Sequence, residues 1–117
     1  MSVTKISSVI SDPVNGTTNP KRIPDAIVQY CILISNSGSA TANAVTATDT
    51  LTGPFTYTPG TMKSGSNCGS ATTEEDDNAT GADESNPYGA SISGSTITAA
   101  ALGPASSFAL TFRVTVD

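Results

Sequence analysis

The sequence predicts an antiparallel all-β sandwich of about seven strands, and three observations carry that prediction. The last segment alternates cleanly: Phe108, Leu110, Phe112, Val114 and Val116 fall on one face, with Ala109, Thr111, Arg113 and Thr115 on the other, the period of a half-buried strand. Ala26, Val28, Tyr30, Ile32 and Ile34 repeat the pattern, with Gln29, Cys31 and Leu33 turned the other way. No segment offers a helix-length stretch of period 3.6, whereas Gly and Pro punctuate the chain throughout, so short strands joined by turns are expected.

Taken in order, Ser2 to Ile10 is β-prone, and the connection after it carries Pro13, Pro20 and Pro24. The strand from Ala26 to Ser35 runs straight into Asn36-Ser37-Gly38-Ser39, where Asn and Gly tolerate the positive φ of a tight hairpin. A chain reversal is expected there, with Ala44 to Leu51 as the returning strand. Phe55 to Thr58 and Ser95 to Ala101 read as two further strands, the second closed by Gly103-Pro104. Residues 63–87 break the rhythm: they are rich in Ser, Gly, Asn and acidic residues and show no apolar period, so a long loop is expected.

The 117 residues suit one domain spanning 1–117, large enough to bury roughly two thirds of its unfolded surface. Aromatic residues make up only 5% and Trp is absent, so Val, Ile, Ala and Thr must supply most of the core. Charged residues, at 13%, are scarce, about half the usual share. A surface of hydroxyls and amides suits a secreted protein.

Function classes fall away on the same numbers. The net charge is -5 and the five cations are Lys5, Lys21, Arg22, Lys63 and Arg113, too few and too scattered to follow a phosphate backbone. Nucleic acid is not an expected partner. The chain has no His, the usual general base and transition-metal ligand, so no enzymatic activity and no catalytic residue is expected. No apolar run is long enough to span a bilayer. Met1-Ser2-Val3 opens without a basic and then apolar leader pattern, so a signal peptide is expected to be absent or already removed.

Several stretches together carry a resemblance. They are Asp12-Pro13-Val14-Asn15-Gly16-Thr17-Thr18-Asn19-Pro20-Lys21, then Ile23-Pro24, Val28-Gln29-Tyr30 and Asn36-Ser37-Gly38-Ser39-Ala40. Thr48-Asp49-Thr50-Leu51, Leu102-Gly103-Pro104 and Leu110 to Asp117 continue it. In these the chain resembles the conserved-repeat, immunoglobulin-like domain of bacterial and archaeal surface proteins, catalogued as a domain of unknown function, type eleven. The resemblance implies an immunoglobulin-like sandwich and an extracellular, structural or adhesive role without a reaction. Asp25 stands where that family often has Gly, and Ala105 follows Pro104 where Gly is common.

Three candidate sites remain. Glu74, Glu75, Asp76, Asp77, Asp83 and Glu84 place six of the ten carboxylates within eleven residues, the oxygen-rich chemistry that hard cations take. Asp76, Asp77 and Asp83 are the candidate calcium ligands, although the spacing lacks the register of an EF-hand; a solvated acidic loop is the other reading. A glycosidase-like carboxylate pair is disfavoured, because beyond Tyr88 at its edge the segment offers no aromatic wall for a sugar.

Cys31 and Cys68 form the second candidate. Paired cysteines in a secreted chain usually meet, and Cys31 shares a parity with Gln29 and Leu33, placing it on the outer face of its sheet, in reach of a loop folded across it. A bridge would stabilise on the order of 3 to 4 kcal/mol; two unpaired thiols are the alternative. Asn15-Gly16-Thr17 and Asn78-Ala79-Thr80 also fit the N-glycosylation acceptor pattern.

The third candidate is residues 1–10, a segment that could complete its own sheet or be exchanged into another subunit's. Val3, Ile6, Val9 and Ile10 are the expected contacts, on an imperfect alternation. Two functions follow. One is a structural subunit that joins copies of itself into an extracellular filament or sheath. The other is an adhesive or calcium-stabilised binding module of a larger surface protein, with surface polysaccharide or other surface proteins as partners.

Overall fold

A computed structural model describes residues 2–36, 38, 46–51, 53–75, 89–93, 96–100 and 107–117. These hold β1 (Ser2–Ser11), β2 (Ile27–Ser35), β3 (Thr46–Thr50), β4 (Phe55–Tyr57) and β5 (Lys63–Gly65). A 3-10 turn (Cys68–Ser70) precedes β6 (Thr73–Glu74), β7 (Gly89–Ser93), β8 (Thr96–Ala100) and β9 (Ser107–Val116). Every strand pairing is antiparallel. The larger sheet runs β1-β2-β9-β5-β6, with β4 also on β9, and the smaller runs β3-β8-β7.

The core follows from the alternation. Val28, Tyr30, Ile32 and Ile34 lie opposite Val114, Phe112, Leu110 and Phe108 in register, and all eight are buried. Ile97 of β8 packs onto this face, with Ile92 of β7 beside it, so the two sheets share one core. Each such side chain, fully buried, stabilises by about 1.5–3 kcal/mol. Tyr30, Phe55, Tyr57 and Phe112 cluster at one end, Tyr30 and Phe112 having ring centroids 5.7 Å apart.

Two expectations need correction. The turn chemistry at Asn36 is present, for its Oδ1 accepts the Gly38 N–H at 3.1 Å. Yet the following strand is no hairpin partner of β2: β3 pairs with β8 in the other sheet, because β2 is already flanked by β1 and β9. Nor is 63–75 an unstructured loop. It carries β5 and β6, which extend the larger sheet beyond β9, and between them the 3-10 turn, whose Cys68 reaches Cys31 on that sheet's outer face.

Gly65 permits that close approach, since a Cβ on it would stand 2.3 Å from the Ser70 carbonyl oxygen. Asn67 caps the 3-10 turn by accepting the Ser70 N–H at 3.0 Å. Cys31 and Cys68 meet at disulfide distance, with S–S 2.03 Å and Cα–Cα 6.0 Å. On the opposite face of β5, Ser64 is buried and its hydroxyl donates to the Glu75 carboxylate.

The connection from β1 to β2 is organised by Asp12. Asp12 and Gly16 exchange two backbone hydrogen bonds around Pro13-Val14-Asn15, with Gly16 at φ 61°, the arrangement of a three-residue turn closed by a left-handed Gly. The buried Asp12 carboxylate accepts from the N–H groups of Val14, Asn15 and Lys21 and from Asn15 Nδ2. Burial alone would push this carboxyl up; the Asn15 side chain and the three N–H groups overturn that and hold it well below the ordinary carboxylate range. Further on, Ala26 N–H donates to the Ile23 carbonyl across Pro24-Asp25, and Asp25 has φ 68°. That turn favours Gly at its third position.

Candidate assembly edge

Among the described strands, β1 pairs with β2 alone. Val3 lies opposite Ile34, Lys5 opposite Ile32, Ser7 opposite Tyr30 and Val9 opposite Val28, so the odd positions share the core-facing side of the sheet. Thr4, Ile6 and Ser8 lie on the outer side, Ile6 opposite Cys31. The register shifts between Val9 and Ser11, leaving Ile10 in a bulge. The four residues expected as one contact surface are therefore divided between two faces and a bulge.

Exposure divides them again. Val3 and Ile6 are 61% and 51% exposed, while Val9 and Ile10 are half-buried and Val9 packs against the core. The first seven residues of β1 are all exposed. Backbone hydrogen bonds to β2 hold this part of the strand, and among the described residues no strand pairs with its other edge. Such an edge is a template for pairing with another chain.

Polar contacts do what apolar packing does elsewhere in the sheet. Lys5 Nζ reaches Asp49 of β3, in the other sheet, at 3.0 Å from Oδ1 and 2.9 Å from Oδ2, and stands 4.5 Å from the centroid of the Tyr30 ring. The Lys5 side chain is 41% exposed and that of Asp49 16%, so the pair is partly screened. A surface ion pair and an exposed cation–π contact contribute together on the order of 1–2 kcal/mol. Arg22 donates to Ser7 Oγ at 3.0 Å and to the Tyr30 hydroxyl at 3.5 Å. An inward-pointing charge on an edge strand also guards against unwanted pairing. Sequence reasoning missed Lys5, Asp49, Arg22 and Tyr30 as a group; the signal was Lys5 sharing a parity with Val3 and Val9.

A second feature lies on the outer face of the larger sheet. Gln29, Thr61, Lys63, Glu74, Thr111 and Arg113 line a polar groove of about 210 Å³, with Arg113 Nε donating to Gln29 Oε1 at 3.2 Å. It lies beside the Cys31–Cys68 bridge, which stands on the same face.

Of the other sequence candidates, Asp76, Asp77 and Asp83 lie outside the described residues, as do Glu84 and Asn78. Glu74 is exposed and Glu75 buried. Asn15 is exposed, with its Nδ2 donating to Asp12 at 2.9 Å. Among the described residues, no helix is long and apolar enough to cross a membrane. No protein-family model, curated protein or solved structure matches this chain.

Proposed function

We propose that this chain is an extracellular structural subunit, built on an immunoglobulin-like sandwich, that joins copies of itself into a surface filament or sheath by donating β1 to the sheet of a neighbour. The observation that carries this reading is that a ten-residue strand is paired with β2 at every position but Ile10 yet leaves seven residues exposed. Its backbone bonds re-form unchanged when it pairs with β2 of another copy, and little core packing is lost in the transfer. Repeated head to tail, such a contact does not close and grows a fibre. The hydroxyl-rich surface, the paired cysteines and the resemblance to surface-protein repeats support the extracellular location.

Light scattering on the full chain and on a chain lacking residues 1–10, with electron microscopy of the first, tests this. The full chain should form fibres; the shortened chain should not, and should bind an added peptide of residues 1–11. A full chain that stays monomeric, with the shortened chain equally folded and equal in size, would sink the reading.

The polar groove favours a second reading, an adhesive module of a larger surface protein that binds surface polysaccharide or other surface proteins. It predicts a stable monomer. Its calcium-stabilised form further predicts a rise in melting temperature when millimolar Ca²⁺ is added to metal-stripped protein.

A further inference from the structure

Resting on the strand-donation reading, we propose that Tyr30 and Asp49 form the acceptor site for Lys5 of a donated β1, and that this contact fixes the register at which two copies join. A strand's register is strongly specified where one face is buried and weakly specified where it is not. Here Val3 and Ile6 are mostly exposed and lie on opposite faces. Ser2, Thr4, Ser7 and Ser8 are small and nearly interchangeable.

Lys5 is not interchangeable. A slip of one residue turns it to the outer face, away from Asp49. A slip of two keeps the faces but sets Val3 or Ser7 where the ammonium stood, leaving the Asp49 carboxylate, with its side chain 16% exposed, without its cation. Of these registers only the observed one, Lys5 opposite Ile32, gives Asp49 its cation and places the charge over the Tyr30 ring.

The division of parts suits exchange. Tyr30 is on β2 and Asp49 on β3, and Arg22, which donates to the Tyr30 hydroxyl, also belongs to the body. Phe55 and Phe112 pack around the same ring. β1 contributes Lys5, and Ser7 for Arg22. The boundary between donor and acceptor therefore runs through this contact, which re-forms between chains when β1 moves to a neighbour.

Charge reversal in separate chains tests the site. Lys5→Glu carries a mismatched donor and Asp49→Lys a mismatched acceptor, so each alone should remain unassembled under conditions where the wild type forms fibres, as followed by light scattering and electron microscopy. Mixed one to one, every junction between unlike chains is matched, and fibres should return by alternation. Circular dichroism of each variant establishes that it is folded. Should either reversal prevent folding, Lys5→Met keeps the apolar stem and should raise the concentration needed for assembly roughly tenfold.

Reversal or Lys5→Met variants that assemble like the wild type overturn the acceptor site and leave strand donation standing. Folded single variants whose mixture stays unassembled also overturn it. A wild type that never assembles removes strand donation and the acceptor site together.

Discussion

The strands β1 and β9 are each ten residues long and flank the same partner, β2, with antiparallel pairing on both sides. Their backbones are nearly equivalent and their side chains are not. β9 alternates large apolar residues and is buried along most of its length, with Phe108, Leu110, Phe112 and Val114 in the core and Ala109 and Thr111 buried on the outer face. β1 sets Ser, Thr and one Lys among few apolar residues and is exposed through Ser8. Hydrogen bonding alone therefore makes a strand, while side-chain burial decides whether the strand is part of the fold or a detachable addition to it.

The largest break in this comparison comes from β9. Phe112 is fully buried and packs against Tyr30 and Tyr57. Phe112→Ala should lower unfolding free energy by about 3–5 kcal/mol in denaturant titration, enough to unfold much of a marginal domain. The same denaturation under reducing conditions should show a loss of roughly 3 to 4 kcal/mol, from releasing the loop between Cys31 and Cys68. Hydrogen exchange should then quicken in 63–75 and on the outer face of β9, and leave β1 unchanged. Faster exchange in β1 alone would show that the bridge braces the wrong side of the sheet for this account.

The joint between β1 and β2 should respond to pH. Asp12 has a folded pKa held below its unfolded value of 3.8, so the unfolded chain takes up a proton first as acid is added. The stability Asp12 contributes is therefore present in full above that value and is lost as pH falls through it toward the folded pKa. The melting temperature of the wild type should hold between neutral pH and about pH 5 and drop below about pH 4, with Asp12→Asn flattening part of that drop. An acid limb identical in the two proteins would remove Asp12 as its cause.

What could be read from the sequence follows the same division. β2 and β9 were legible because burial on one face writes a period of two into the residue types. The Cys31–Cys68 proximity was legible through parity, which put Cys31 on the outer face. The strands β5, β6 and β7 were not, since Lys63-Ser64-Gly65, Thr73-Glu74 and Gly89 to Ser93 hold little beyond Ile92 to pattern. Tertiary context forms the first two: Gly65 admits the Ser70 carbonyl, and β9 supplies a pairing edge. The turn at Asn36 was legible, but its direction was not, because the choice between sheets depends on β9, more than seventy residues later. Asp12 read as one residue of a turn-rich run; that its carboxylate gathers donors as distant as Lys21 is geometry no local rule supplies. At the candidate edge, exposure of β1 was the missing fact, and a lone Lys in a strand is ordinary until Asp49 is seen across from it.

The smallest expected effects lie within β1 itself and test the comparison most directly. Exposure falls along the strand, from Val3 and Ile6, both more than half exposed, to Val9, which touches the core. Val3→Ala and Ile6→Ala should each change monomer stability by about 0.5 kcal/mol or less, as surface substitutions do, and Val9→Ala should cost about 1 kcal/mol because part of a buried methyl pair is lost. A graded series of this kind, read from denaturation midpoints at constant slope, means that β1 is anchored at its C-terminal end and free to leave from the other. A loss of 2 kcal/mol or more at Ile6 would mean that its outer-face contact beside Cys31 is packed as tightly as the core, and a strand so held would not be one the molecule could lend to a neighbour.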